Sequence, residues 1–282
     1  MSMVRESCTT RVWEKISDPQ RGIASGNTVD VRPLILVAHP DDETIGASLA
    51  MTRMRDPAVV FLTDGAPWDS RFWSPDAKRS REDYAAMRKK EAFAALAMAN
   101  VPAEQIFWLG AVDQEAIEKV PALVAELVTM LQEIQPEIII THPYEGGHPD
   151  HDAAALIASL AAHYPVLQWQ PQIVEMTSYH LRDGKCLSGE FLPGTGEEEL
   201  TLCLSPEERC RKQRMIASHH SQRFVLQAFS SELERLRPAP SYDFTQPPHP
   251  GKLWYECLGW PMTAERWRQL AAAALSDLKQ NT

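Results

Sequence analysis

Two short stretches concentrate the side chains that can do chemistry: AHPDDE at 38–43 and GHPDHD at 147–152. His39 and Asp42 stand three residues apart, and His148 and His151 repeat that spacing. At a loop-to-helix junction this spacing can turn both side chains to one side, so each stretch can offer two donors to a common centre. Imidazole with carboxylate suits a divalent cation, and a catalytic zinc takes three N or O ligands and leaves one position open for water. Together the stretches supply that number with groups left over. The surplus matters, because hydrolysis also needs a base and an acid that the ion does not occupy. The same residues exclude a dinucleotide cradle, since HPDDETIG puts carboxylates where a glycine-rich turn would admit pyrophosphate. Phosphate transfer is disfavoured by the same lack of an anion cradle.

Groups of this kind need rigid elements to aim them. LILVAH (34–39), AVVFLT (58–63), IFWLG (106–110) and EIIIT (137–141) are apolar runs that predict buried strands. Helical patterns lie between them: ETIGASLAMTRMR, then SREDYAAMRKKEAFAALAMAN with Ser80 as N-cap, then about 114–135 with a start or kink near Pro121. Strand and helix in alternation predict an α/β fold, a doubly wound, mainly parallel, Rossmann-like sheet with helices on both faces. In such a sheet the ligand site lies beyond the carboxyl ends of the strands. Those tails read AHPDDE, TDGAPWD, LGAVD and THPYEGGHPDH, and both candidate stretches fall on them.

Beyond residue 172 the pattern is less regular. Strands and hairpin turns are expected to about 203, SPEE at 205–208 reads as a capping box opening a helix to about 219, and an amphipathic helix is expected over about 263–279. RPAPSYDFTQPPHPG (237–251) predicts a loop. We expect a single domain over 1–282, with a core at about 33–222 and a C-terminal loop and helix extension at 223–282.

Bulk properties narrow the function classes. A chain of 282 residues can bury a full core, and no run approaches the roughly 20 apolar residues of a membrane span. The N-terminal residues lack the apolar run of a secretory signal, which predicts a cytoplasmic protein. The five cysteines are scattered without a CxxC pair, arguing against a disulfide framework or a thiolate zinc site, and are expected to be buried. A formal net charge of −10 disfavours nucleic acid and anionic membrane. The basic runs RKK (88–90) and RCRKQR (209–214) are expected to be solvated helix faces.

AHPDDE after one strand, TDG after the next, Arg88 and Glu91 in the following helix and GHPDH after a later strand resemble the LmbE-like or PIG-L family of zinc-dependent N-deacetylases. The match covers roughly 34–155, with a weaker echo in KQRMIASHHSQ (212–222). The resemblance implies His39, Asp42 and His151 as ligands of Zn2+, with Fe2+, Mn2+ or Co2+ as other candidates. It implies Asp41 as general base and His148 as the group that assists the tetrahedral intermediate and the leaving amine, for which an imidazolium would serve. It further implies Arg88 and Asp113 as substrate contacts, against structural ion pairing, and a small N-acylated substrate, above all an N-acetylglucosamine-type sugar. A thiol-conjugate amide is the alternative substrate, and a trimer or hexamer is compatible with the family.

Other residues carry two readings each. Glu43 is either a helix-start carboxylate or a group that orients a ligand; Asp150 and Asp152 are expected to cap or line the following helix start, and Asp64 either braces the site or forms an Asp-Gly turn. Trp68, Phe72 and Trp73 can stack on a sugar or pack into the protein. Some family members carry Tyr two residues before the first His of GHPDH; here Gly146 stands there and Tyr144 is displaced by two. The rival from another class is a non-catalytic protein whose metal merely clips two loops together. Retention of both Asp41 and His148, which a clip does not need, argues against it.

Overall fold

A computed structural model describes residues 12–75 and 80–280. Seven strands form the main sheet in the order β3-β2-β1-β4-β5-β9-β8. In chain order they are β1 (Pro33–Val37), β2 (Ala58–Thr63), β3 (Ile106–Ala111), β4 (Ile138–Thr141), β5 (Gln172–Met176), β8 (Leu200–Cys203) and β9 (Leu233–Pro238); β6 (Tyr179–Arg182) and β7 (Lys185–Ser188) make a separate hairpin. Strands β1 to β5 pair in parallel, and β9 runs antiparallel to both β5 and β8. The mainly parallel, doubly wound sheet expected from the sequence is therefore present. Its order reverses at β1, where β2 and β4 lie on either side, and this switch point is where a ligand crevice opens.

Strand residues alternate between two cores. Leu34, Leu36, Val60 and Leu62 face a cluster built with α4 (Val120–Ile134), α5 (Pro149–Ala162) and α9 (Ala264–Gln280); Ile35, Val37, Val59 and Phe61 face a second cluster with α2 (Ser48–Arg53) and α3 (Arg81–Met98). Burial on both faces explains why these strands read as unbroken apolar runs. The segment expected as one helix after AHPDDE is two, α1 (Asp42–Gly46) and α2, parted at Ala47 with φ −133°. Ser80 caps α3 by accepting from Asp83 N–H, Pro121 lies in the first turn of α4, and Ser205 with Glu208 forms the capping box of α6 (Pro206–Ser218). The proline-rich segment begins as strand, because Arg237 and Pro238 complete β9, and continues as loop.

Two expectations about the surface are corrected. Each basic run sends one cation inward: Arg88 is buried in the cleft described below, and Lys212 is buried with its ammonium on Glu234 (2.8 Å) and the Ile45 carbonyl (2.6 Å). The cysteines are not buried, since Cys186, Cys203, Cys210 and Cys257 are free and exposed; Cys8 and the first eleven residues lie outside the described residues. Among the described residues no helix is long and apolar enough to cross a membrane.

Candidate metal centre and active site

The cleft lies at the carboxyl ends of β1, β4 and their neighbours, and every residue singled out from the sequence as ligand, base, acid or substrate contact lines it: His39, Asp41, Asp42, Arg88, Asp113, His148 and His151. The strand tails converge there by topology alone. The turn after β1 delivers His39 to Asp42, the loop after β3 delivers Asp113, and the loop from β4 into α5 delivers His148 and His151.

Asp42 is the hub. Its Oδ2 stands 3.4 Å from His39 Nδ1 and 3.3 Å from His142 Nε2, and its Oδ1 stands 3.3 Å from His151 Nε2. Three groupings bring donor atoms within 4.8 Å of one another: His39, His148 and His151; His39, Asp113, His148 and Asp150; and Asp42, His142 and His151. The expected trio of His39, Asp42 and His151 is distributed over these groupings: Asp42 is joined to each histidine by the distances above, and the two histidines share the first grouping.

His142, at the tail of β4, was not assigned from the sequence although it belongs to the same THPYEGGHPDH stretch. Its ring stacks on His151 at 3.9 Å, its Nε2 accepts from Ala38 N–H, and its Nδ1 is buried without a partner.

The donor set fits a divalent cation. The outward nitrogens of two candidate ligands are fixed, His39 Nε2 by Asp150 Oδ2 at 3.2 Å and His151 Nδ1 by Ser178 Oγ at 2.9 Å. A carboxylate or hydroxyl behind each imidazole is the arrangement that orients metal-ligating histidines. Asp113 Oδ1 is buried without a hydrogen bond, 3.3 Å from His39 Nε2.

Electrostatics separates the acids. Burial pushes Asp41 up to about 7, helped by the Asp42 charge and opposed by Arg88. Asp42 is held well below the usual carboxylate range; burial opposes this, but His151 and His142 outweigh it. His39 is raised well above the ordinary imidazole value although burial lowers it, because Asp113, Asp150 and Asp42 surround it. His148 is lowered well below that value by burial and by the neighbouring His39 and His151. Asp150 N–H donates to His148 Nδ1 (3.1 Å), so that nitrogen's lone pair is committed and the ring's proton belongs on Nε2. This differs from the imidazolium expected for His148 from the sequence.

Asp41 has φ +145° and ψ −27°, backbone territory that residues with a Cβ rarely adopt, and its neighbours hold it there. Glu43 Oε2 accepts Asp41 N–H (3.0 Å), Thr44 and Ile45 N–H donate to Asp41 O, and Arg88 Nη2 donates to Asp41 Oδ2 (2.8 Å) and to Pro40 O. Arg88 Nη1 donates to Gly65 O. The guanidinium is thus a clamp between the first and second strand tails. Glu43, fully buried, braces the Asp41 backbone in addition to starting a helix.

Asp150 and Asp152 lie in the first turn of α5, as expected, and reach back to staple loops. Asp150 accepts from Gln114 and Ala116 N–H, Asp152 from Glu145 and Gly146 N–H. Asp64 does form its turn, accepting from Ala66 N–H, and pairs with Arg81. The aromatic loop divides: Phe72 lines the cleft, Trp73 donates to Pro67 O and packs near Tyr84, and Trp68 lies under Arg81. Tyr144 is buried away from the cleft with its hydroxyl on Gln246 O, whereas Tyr179 lines the cleft beside His151.

The loop carrying His148 is fitted closely. A Cβ on Gly147 would sit 1.9 Å from the Tyr179 carbonyl oxygen. Gly147→Ala is therefore expected to cost about 1–3 kcal/mol in urea unfolding, since backbone must move to relieve the overlap; unchanged stability would show that the loop yields freely.

Residues 34–162 match the family model described as PIG-L, GlcNAc-PI de-N-acetylase, and this span contains every candidate ligand and Asp41. Residues 34–162 are thus similar to a PIG-L domain. The chain is 28% identical over 178 residues to 1D-myo-inositol 2-acetamido-2-deoxy-alpha-D-glucopyranoside deacetylase 1 of Catenulispora acidiphila, covering 52% of this chain and 53% of that protein. It is 27% identical over 124 residues to the probable N-acetyl-alpha-D-glucosaminyl L-malate deacetylase 2 of Bacillus subtilis, covering 43% and 55%. The matched region thus spans about half the length of these curated relatives. A solved deacetylase of the teicoplanin biosynthesis pathway aligns with a TM-score of 0.55 at 18% identity, over 75% of this chain and 99% of that one, which shows a shared fold.

Three anchors fasten α6 and the turn that follows it to the matched region. Lys212 reaches the end of α1, Ser221 bonds Glu91 through its amide (2.9 Å) and hydroxyl (2.6 Å), and Gln222 donates to the Tyr84 hydroxyl (2.6 Å). These are the residues behind the faint sequence echo at 212–222.

Proposed function

We propose that the chain is a zinc-dependent hydrolase that removes the acetyl group from an N-acetylglucosamine-type sugar or glycoside. The observation that carries this reading is Asp41: a buried carboxylate held by Arg88 in a strained backbone, beside a cation donor set to which its neighbour Asp42 turns instead. A metal clip has no use for that arrangement. The curated relatives support the substrate class, since both are named for deacetylating an acetamido sugar conjugate.

In this reading His39, Asp42 and His151 hold the ion, with His142 stacked behind His151. A bound zinc would polarise the amide carbonyl and bring the pKa of coordinated water down to about 7. Asp41 takes the proton of the attacking water, and its raised pKa suits that exchange near neutral pH. Asp41 then delivers the proton it took from water to the leaving amine nitrogen as the C–N bond breaks, while His148, neutral with its proton on Nε2, assists by donating a hydrogen bond to the developing oxyanion. Arg88 keeps the Asp41 carboxylate aimed, and Asp113, which lines the cleft, accepts from a substrate hydroxyl. A cytoplasmic setting belongs to the same reading, supported by the four free cysteines among the described residues.

Amine release from a panel of N-acetylated sugars, with the protein loaded with defined metals, tests the proposal. His151→Ala is expected to abolish activity and to drop bound zinc far below one per chain in elemental analysis. A variant that keeps full metal would remove His151 from the ligand set.

A further inference from the structure

The cleft is larger than its chemistry requires. At about 580 Å³ it falls in the range that accommodates drug-sized ligands, roughly 300–1,000 Å³, and a single acetamido sugar fills only part of it. The floor is the metal centre. The rest of the lining comes largely from outside the matched region 34–162, including Val225, Leu226 and Phe229 from one segment and Trp254, Leu258 and Trp260 from another. Trp260 closes toward the chemistry, with its ring 4.7 Å from that of His148 and 5.8 Å from that of Phe72.

Three observations indicate what this outer space takes. Large apolar side chains exposed to solvent collect at it: Phe72 (38% exposed), Val225 (58%) and Leu258 (38%) are three of the six on the described surface, and Trp68 and Phe224 adjoin lining residues in sequence. Such a concentration marks a binding surface, whereas single exposed apolar residues do not. Polar groups among the walls are partly committed to the protein, Gln222 to Tyr84 and Ser188 to Ala228 O. Among the described lining residues Arg88 is the one lysine or arginine, and its guanidinium is taken by Asp41, Pro40 O and Gly65 O. An acidic substituent would find no unpaired lysine or arginine among the described lining residues, and desolvating it unpaired is costly.

We propose that the outer cleft binds an uncharged apolar substituent, alkyl or aryl, carried by the same molecule as the scissile amide. The proposal rests on the hydrolase reading for its floor and goes beyond it for its walls. The substituent is attached either as the aglycone or as a longer N-acyl chain, and the test separates the two.

The experiment measures kcat/KM for four compounds below their micellar concentrations: methyl and octyl 2-acetamido-2-deoxyglucoside, the 7-carboxyheptyl glycoside, and the N-octanoyl methyl glycoside. The octyl or the N-octanoyl compound is expected to exceed the N-acetyl methyl glycoside by at least about tenfold, since burial of two methylenes suffices for that factor; which one gains identifies the side of attachment. The carboxyheptyl compound is expected to lose most of the octyl gain. Val225→Asp, at an exposed position that folding tolerates, is expected to bring the octyl-to-methyl ratio toward one. Hydrolysis of the methyl glycoside with no gain from either chain, or an equal gain from the carboxylate, overturns the subsite and leaves the hydrolase standing. If nothing is hydrolysed, calorimetric binding of octyl but not methyl glycoside keeps the subsite and overturns the hydrolase; no binding overturns both.

Discussion

Asp41→Asn is expected to lower kcat by roughly 10² to 10⁴, the usual contribution of a positioned general base, while bound metal stays near one per chain. The substitution keeps the side chain's shape and leaves an oxygen to accept from Arg88 Nη2. It removes only the capacity to take a proton. Asp42, whose oxygens face His39, His142 and His151, cannot replace it, because adjacent side chains on this turn point to different partners. Kinetics and elemental analysis must therefore separate in this variant, whereas they fall together in His151→Ala. Activity within a factor of a few of the parent would eliminate Asp41 as the base.

The largest stability effect is expected at Arg237→Met. Arg237 is fully buried, donates from Nε to Glu175 (2.8 Å) and from Nη2 to Glu145 (3.1 Å), and lies 4.0 Å over the Phe191 ring. Glu175 also accepts from the Tyr242 hydroxyl (2.7 Å), and Glu145 stands 3.2 Å from His180 Nδ1. Methionine fills much of the volume but strands two buried carboxylates. Breaking a buried pair in this way costs about 3–5 kcal/mol, a large share of the roughly 5–15 kcal/mol that stabilises a domain. Chemical denaturation reads the loss directly. Because Glu145 belongs to the loop that leads into His148, metal affinity is expected to fall with it, and adding Glu145→Gln and Glu175→Gln should return part of the stability. A change below about 1 kcal/mol would show that water enters and solvates the acids.

The sheet and the location of the site were legible because both are written in local pattern. Four apolar runs of strand length, each followed by a tail, define a parallel sheet, and the switch-point rule then selects the tails that carry His39, Asp41, Asp42, His148 and His151. Contacts set by tertiary packing were not legible. His142 reads as the end of a strand, and nothing in the order of residues shows that its ring will stack on His151. Asp150 and Asp152 read as helix-start acids, yet their carboxylates reach backward to amides of other loops. Arg88 and Lys212 sit in basic runs whose composition does not reveal which member turns inward. The cleft walls at 222–229 and 254–260 come from short helices and turns without periodicity, so their convergence on His148 is a fact of packing alone. The helix break at Ala47 was hidden by residues that favour helix on both sides of it.

Asp41 occupies a backbone conformation that costs on the order of 1–3 kcal/mol and that glycine would adopt at ease. Glycine would relieve that strain but would leave the buried Arg88 guanidinium without its carboxylate, so the strained turn and the buried cation hold each other in place.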